Sequence, residues 1–247
     1  MSKIIRSDAF NEDCLLGMCR FQDKHFGLAI CDINYGIGAS TMAYTRQVGH
    51  NIKQKNGNKL NGSKNKVIHT QKDWDNEPPP SQEYFDELCR VSKHQIIFGV
   101  EYVNWVGLGK GRIKWNKCVP DGMSFKGYEM AYCSLIDYEM EIPLLWSGMN
   151  QAKSLSEPTV MQGNKKLNEK RIHPCHKPVL LYRKLLQEFA KNGDEILDTH
   201  LGGGSIRIAC HELGFNFTGF EIDEEYFLKE EIRFNQYLYP LQQKLSL

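Results

Sequence analysis

Short apolar runs rich in β-branched residues alternate along the chain with segments whose apolar positions recur at helical spacing. That rhythm belongs to a parallel sheet with crossover helices. Gly27–Cys31 reads as a buried strand that stops at Asp32, Gln95–Gly99 as the next strand, and Met130–Ile136 as a further one. Between the first two, Ser81–Val91 places Phe85, Leu88 and Val91 on one helical face. Ser81 stands there as an N-cap, with Glu83 and Asp86 in the early turns. Further on, Pro178–Ala190 opens a helix with a proline whose missing N–H costs little, and Asn192-Gly193 ends it. Glu195–Asp198 then reads as a strand, Ser205–Leu213 as a helix stopped at Gly214, Asn216–Glu221 as a strand and Asp223–Tyr237 as a helix. The pattern predicts an α/β fold with a doubly wound, mostly parallel sheet, as a single domain over residues 1–247.

Composition narrows the class. The 247 residues are long enough to bury a real core, and 41% hydrophobic with 25% charged residues excludes collagen, low-complexity and disulfide-scaffold chains. The eight cysteines are scattered without a C-x-x-C pair, so neither a zinc ribbon nor a thioredoxin-like dithiol is indicated. The first residues carry acids and lack the apolar run of a secretory signal, and no window is long and apolar enough for a membrane span. The expectation is a reduced, cytoplasmic protein with no membrane partner.

Net charge is only +1, so affinity for nucleic acid has to come from local clustering. Two stretches break the α/β rhythm. Between Asp32 and Asp73 there is no acid, while Arg46, Lys53, Lys55, Lys59, Lys64, Lys66 and Lys72 supply seven positive charges. This polar segment, expected to be a mobile basic loop over 41–72, suits either solvent or a polyanion. The second stretch, 139–172, looks irregular, carries Lys153, Lys165, Lys166, Lys170 and Arg171, and reads as a small insertion beside the sheet.

The strongest local chemistry lies at Asp198-Thr199-His200-Leu201-Gly202-Gly203-Gly204-Ser205. A buried strand ends in an acid, turns through three glycines that let backbone approach a ligand, and enters a helix. The next strand ends at Glu221, 23 residues after Asp198, where an acid suits the hydroxyls of a ribose. A dinucleotide fingerprint would need glycine where Arg207 stands, and a Walker loop is absent. An acid directly before the glycine turn repels pyrophosphate but suits the cationic amino-acid part of S-adenosylmethionine (SAM). SAM is therefore the cofactor expected.

A second signal follows the first strand. Asp32-Ile33-Asn34-Tyr35 sits at the sheet edge where sites form in open α/β folds. A carboxylate can accept from an exocyclic amine there while an aromatic ring stacks on the base. The same spacing also suits a plain turn with a core aromatic.

Taken in order, these residues resemble the amino-group DNA methyltransferases, acting on N6 of adenine or N4 of cytosine, in the permuted type whose catalytic tetrapeptide precedes the SAM loop. The resemblance covers nearly the whole chain. Asn11–Met18, with Asp13 and Cys14, looks like the family's opening segment near the cofactor adenine. Asp32–Tyr35 stands where the family has Asp-Pro-Pro-Tyr, and His173-Pro174-Cys175-His176-Lys177-Pro178 matches its His-Pro-x-x-Lys-Pro. Asp198–Ser205 takes the place of its Asp-Pro-Phe-x-Gly-x-Gly loop, and Glu221 that of its ribose acid.

The resemblance implies a Rossmann-like SAM-dependent methyltransferase fold with catalytic Asp32, Ile33, Asn34 and Tyr35. Cofactor contacts fall to Asp13, Cys14, His173, Lys177, Asp198, His200, Gly202, Gly204, Ser205, Glu221 and Asp223. It implies methyl transfer to a flipped-out base in double-stranded DNA, adenine ahead of cytosine, with Arg46 through Lys72 on the phosphates and base readout in 139–172. Neither a metal nor a covalent nucleophile is implied; a homodimer is admitted but not required, and a companion restriction enzyme is compatible. The chain departs from the pattern at Ile33, Asn34, Thr199 and His200, which keeps open a relative that binds SAM and DNA without transferring methyl.

Overall fold

The computed structural model describes residues 5–36, 78–119, 126–147, 149–161 and 163–245, with side chains as far as 239. The chain opens with β1 (Ser7–Phe10), a short helix α1 (Cys14–Met18) and β2 (Phe26–Asp32). After the undescribed segment come α2 (Gln82–Val91), β3 (Ser92–Phe98), β4 (Arg112–Asn116), β5 (Tyr128–Cys133) and β6 (Glu139–Pro143). A two-stranded hairpin, β7 (Trp146–Ser147) and β8 (Asn150–Gln151), precedes α3 (Val179–Phe189). The last elements are β9 (Glu195–Asp198), α4 (Ser205–Leu213), β10 (Asn216–Phe220) and α5 (Glu224–Leu245).

Eight strands make one sheet in the order β1-β10-β9-β2-β3-β5-β4-β6. The first five are mutually parallel, β5 runs antiparallel to both neighbours, and β4 and β6 are parallel. The expected α/β class with a doubly wound, mostly parallel sheet is what the chain forms. Parallel strands need helical crossovers and both faces covered, which explains the near-continuous apolar runs of β2 and β3. Successive side chains of β3 separate to opposite faces, as a period of two requires. Ile96 and Phe98 join the core under α3 and α4, and Ile97 joins the core under α1 and α2.

Boundaries differ from the sequence reading in places with clear reasons. Ser81 occupies the cap position of α2, but its side chain makes no capping bond. The strand expected from Met130 begins two residues earlier and ends at Cys133. Helix α5 runs on to Leu245 rather than stopping at Tyr237. β4 is a further strand, carried only by the short alternation Arg-Ile-Lys-Trp-Asn, with Ile113 and Trp115 buried. Stretch 139–172 is less irregular than expected, because it opens with β6, which pairs with β4 in the main sheet.

Arg207 stands on α4 where a third glycine would sit in a dinucleotide fold, and it is a structural tie. Its guanidinium donates to Glu230 at 2.8 Å, to Ser7 Oγ at 3.0 Å and to the Ser7 carbonyl at 3.0 Å, and also pairs with Glu231. With side chains 6% and 1% exposed, Arg207 and Glu230 form a buried pair joining α4, α5 and β1. Even so, burial pushes the Glu230 carboxyl up to about 7. Arg207→Met strands that acid, and urea unfolding should show a loss of about 3 kcal/mol. Arg207→Met with Glu230→Leu should recover most of it, which tests whether the pair or the packing is responsible.

Candidate active site

The order of strands reverses between β9 and β2, so the loops at their carboxyl ends diverge and leave a crevice. Leu28 pairs with Ile196 and Ala29 with Leu197, which sets the exits of the two strands side by side. A cavity of about 330 Å³ lies there. It is lined by the whole tetrapeptide Asp32–Tyr35 and, from the other expected set, by Asp13, Cys14, His173, Lys177, His200, Gly202, Ser205 and Glu221. Asp198, Gly204 and Asp223, also expected there, are not among its lining residues. Arg46, Lys53, Lys55, Lys59, Lys64, Lys66 and Lys72 lie outside the described residues.

On the glycine-loop side, backbone geometry shapes the floor. Gly204 adopts φ +66°, and a Cβ there would fall 2.3 Å from Glu230 Cγ, so the turn into α4 demands glycine. Glu221 accepts from the N–H of Gly202 at 2.8 Å through Oε2 and from that of Asp223 at 2.9 Å through Oε1. Both amides fix the carboxylate while each oxygen keeps a second lone pair. Asp223 Oδ1 in turn caps α5 by accepting from the N–H groups of Glu225 and Tyr226 at 2.9 and 3.2 Å. Asp13 caps α1 by accepting from Leu16 N–H at 3.1 Å. The His173 ring meets Tyr226 edge-on at 4.4 Å.

Electrostatics at this edge are unusual. Burial pushes Asp198 up to about 8, against the pull of the His200 N–H that donates to it at 3.0 Å, and the nearby Asp32 and Glu221 add to the rise. Burial also raises Glu221 and holds the Cys14 thiol at about 12. His200 is lowered to about 4 by burial, so its ring is a neutral surface. An acidic edge with little solvent is short of positive charge on its glycine-loop side.

The tetrapeptide side is held differently. Tyr35 donates to Asp32 Oδ1 at 2.7 Å and stacks on Tyr102 with ring centroids 4.9 Å apart. Gly99, at φ +88°, makes room, since a Cβ there would lie 2.1 Å from the Tyr35 ring. Ile33 is buried in the core under α1 and α2, and Asn34 donates to the Pro78 carbonyl at 3.0 Å. Lys177, expected among the cofactor contacts, lines the cavity on the tetrapeptide side, 2.5 Å from Asp32 Oδ1 and 2.9 Å from Glu129 Oε2.

Several site residues had no readable signal. Glu129 lies one residue before the strand expected from Met130 and carries no pattern of its own. Glu169, in the stretch that read as irregular, accepts from the Val179 N–H at 3.0 Å and from Arg233 at 2.6 Å, and meets His176 Nε2 at 2.8 Å. It thereby locks the His173–Pro178 segment against α5 and the glycine loop. Thr199 joins Tyr84 at 2.6 Å and His200 at 2.9 Å, which only a structure reveals.

The sequence model of the DNA methylase family, N6_N4_Mtase, matches residues 37–230, more than three quarters of the chain. The chain belongs to the DNA methylase family. Local similarity links this methylase to the type II methyltransferase M.HpaI of Haemophilus parainfluenzae, 33% identical over 54 residues, covering 22% of the chain and 17% of that protein. A second match is type II methyltransferase M2.DpnII of Streptococcus pneumoniae, 35% identical over 54 residues, covering 22% and 20%. These curated relatives are thus matched over at most a fifth of their length. Among solved structures, the cytosine-N4-specific PvuII DNA methyltransferase shares the fold, with TM-score 0.51, 11% identity and coverage of 93% of this chain and 87% of the other. M1.HpyAVI in its SAM complex gives TM-score 0.50, 17% identity and coverage of 92% and 98%. The family match begins just beyond Tyr35, so the methylase tetrapeptide is assigned on its order and position alone.

Because Asp198 prefers its proton in the folded protein, native stability falls as pH rises from about 4 toward 8. Asp198→Asn removes that dependence. In thermal unfolding without ligand, the variant should match the parent near pH 4 and exceed it at pH 8 by more than about 1 kcal/mol. Equal stability at both pH values would contradict the assignment.

Proposed function

We propose that the chain is a SAM-dependent DNA methyltransferase acting on an exocyclic base amine, N6 of adenine, in a base flipped out of the duplex. The observation that supports it is the shared cavity, in which Asp32 and Tyr35 at the tip of β2 face the glycine loop after β9 and the acid after β10. The chemistry of the donor set fits SAM. Glu221 is pre-oriented for ribose hydroxyls, and Asp198 is a buried acid whose charge a cationic amino group would stabilise.

SAM, when bound, supplies an electrophilic methyl group that passes to the base nitrogen, leaving S-adenosylhomocysteine and a proton. The residues of the chain align and polarise. An exocyclic amine is a poor nucleophile because its lone pair is delocalised into the ring. Hydrogen bonds from that amine to Asp32 and to the Ile33 carbonyl favour a pyramidal nitrogen with its lone pair aimed at the methyl. The Tyr35 ring stacks on the base. No strong base is needed, because the proton leaves after the new bond has formed.

Adenine over cytosine rests on the family pattern of Asp followed three positions later by Tyr. In the same reading, the basic segment 41–72 follows the phosphate backbone, and 139–172 contributes to base readout. Among the described residues no helix is long and apolar enough to cross a membrane, and no group of three His, Cys, Asp or Glu side chains is arranged to hold a metal.

The direct test is transfer of labelled methyl from SAM to an unmethylated mixed-sequence duplex. Label should enter the DNA, appear in N6-methyladenine after nucleoside digestion, and vanish with Asp32→Ala. SAM binding without label in the DNA would instead mark a binding protein on a methyltransferase fold. If the basic segment engages phosphates, each doubling of salt should weaken DNA binding from several-fold, for about three contacts, to about 80-fold if all seven engage. Salt-independent binding, read by fluorescence anisotropy, would remove that role.

A further inference from the structure

One cation is built into the tetrapeptide side of the cavity, and it comes from a distant part of the chain. Lys177 lies in the segment that leads into α3, and its side chain is only 3% exposed. The ammonium sits 2.5 Å from Asp32 Oδ1 and 2.9 Å from Glu129 Oε2, and donates to the Tyr35 hydroxyl at 3.3 Å. The Phe98 ring lies 4.6 Å away beneath it. Glu129, from β5, is held in turn by Lys117 at 2.5 Å. Among the described residues, Tyr35 and Lys177 both use Asp32 Oδ1. An ammonium already flanked by two half-buried carboxylates is poorly placed to serve a third anion on a cofactor.

We propose that Lys177 is the positioning residue of the transfer step, with Glu129 as its anchor: the ammonium fixes Asp32 through Oδ1 and presents Oδ2 to the substrate amine. This rests on the methyl-transfer reading above. Burial, with Glu129 adding to it, holds the Asp32 carboxyl above its ordinary range and favours its proton, which would make it a poor acceptor for an amine N–H; the ammonium limits that rise. Glu129 shares the ammonium, so the charge of Asp32 is not fully cancelled and its free oxygen stays a strong acceptor. The titratable groups facing Asp32 are Tyr35 on its own segment, Lys177, Tyr182 on α3, Glu129 on β5 and Asp198 on β9. Of these, Lys177 is the sole cation. Glu129 itself is lowered to about 2, since Lys177 and Lys117 together overcome the cost of its burial.

The test pairs a readout on the carboxyl with one on the reaction. Carbon-13 NMR of carboxyl-labelled aspartate, with Asp32 assigned by Asp32→Asn, follows its titration in the ligand-free protein. Lys177→Met should move the Asp32 midpoint up by at least about one pH unit, and Glu129→Gln should move it down. A role confined to packing would not give opposite signs. In single-turnover methyl transfer, Lys177→Met should be slower by about 100-fold. Lys177→Arg should recover part of the loss, and Glu129→Gln should fall between Lys177→Met and the parent. Calorimetry should find SAM affinity unchanged in all three variants. Loss of SAM affinity in proportion to rate would make Lys177 a cofactor ligand and overturn the proposal, as would an unmoved Asp32 midpoint. Should Lys177→Met not fold, Lys177→Arg and Glu129→Gln decide by the same measures. A parent protein that transfers no methyl overturns the methyl-transfer reading, and the carboxyl titration then judges the Lys177–Asp32 coupling alone.

Discussion

The pairing of β2 with β9 is the constraint from which the site follows. Only two register pairs join these strands, yet they place the end of an early strand beside the end of a late one. Each strand ends in aspartate, so two carboxylates arrive at one sheet edge in a setting with little water. Unbalanced, such an edge would simply take up protons. The fold answers differently on its two sides. Asp32 is given a buried ammonium, whereas Asp198 accepts from the His200 backbone N–H and is still pushed up to about 8. One side is complete without a ligand and the other is not.

This asymmetry explains what could be read from the sequence. Strands β2, β9 and β10 and helix α4 were legible because buried parallel strands form unbroken apolar runs and glycine punctuates their ends. The acids at their tips were legible for the same reason. The Lys177 contacts were not, since nothing in a His-Pro-x-x-Lys-Pro string says which acid its lysine will meet. Glu129 and Glu169 were illegible for a related reason: a buried charge looks like a surface charge until its partner is known, and both partners lie far away in sequence. β4 gives a weak alternating signal, because only one of its faces is buried.

The departures from the family pattern are not defects once their neighbours are seen. Thr199 and His200, standing where the family has proline and phenylalanine, bond to each other, and the Thr199 hydroxyl also reaches Tyr84. A neutral imidazole then offers a flat face in place of a phenyl ring. Asn34 replaces the restraint of a proline with a hydrogen bond to the Pro78 carbonyl. Ile33 replaces the other with burial. At Ile33, Asn34 and Thr199 a contact holds the position that a proline ring restrains in the family pattern, which makes it dependent on the rest of the fold.

Among the described residues the edge strand β1 pairs with β10 alone, Ser7 with Phe217 through Phe10 with Phe220. During synthesis the first strand of the sheet therefore emerges long before its partner exists. β2 can settle against β3 earlier, but its other neighbour, β9, also arrives late. Contacts so distant in sequence form slowly and leave apolar edges open in the meantime. The first strands thus leave the ribosome before β9 and β10 exist, so a prematurely ended product would expose sticky β-edges.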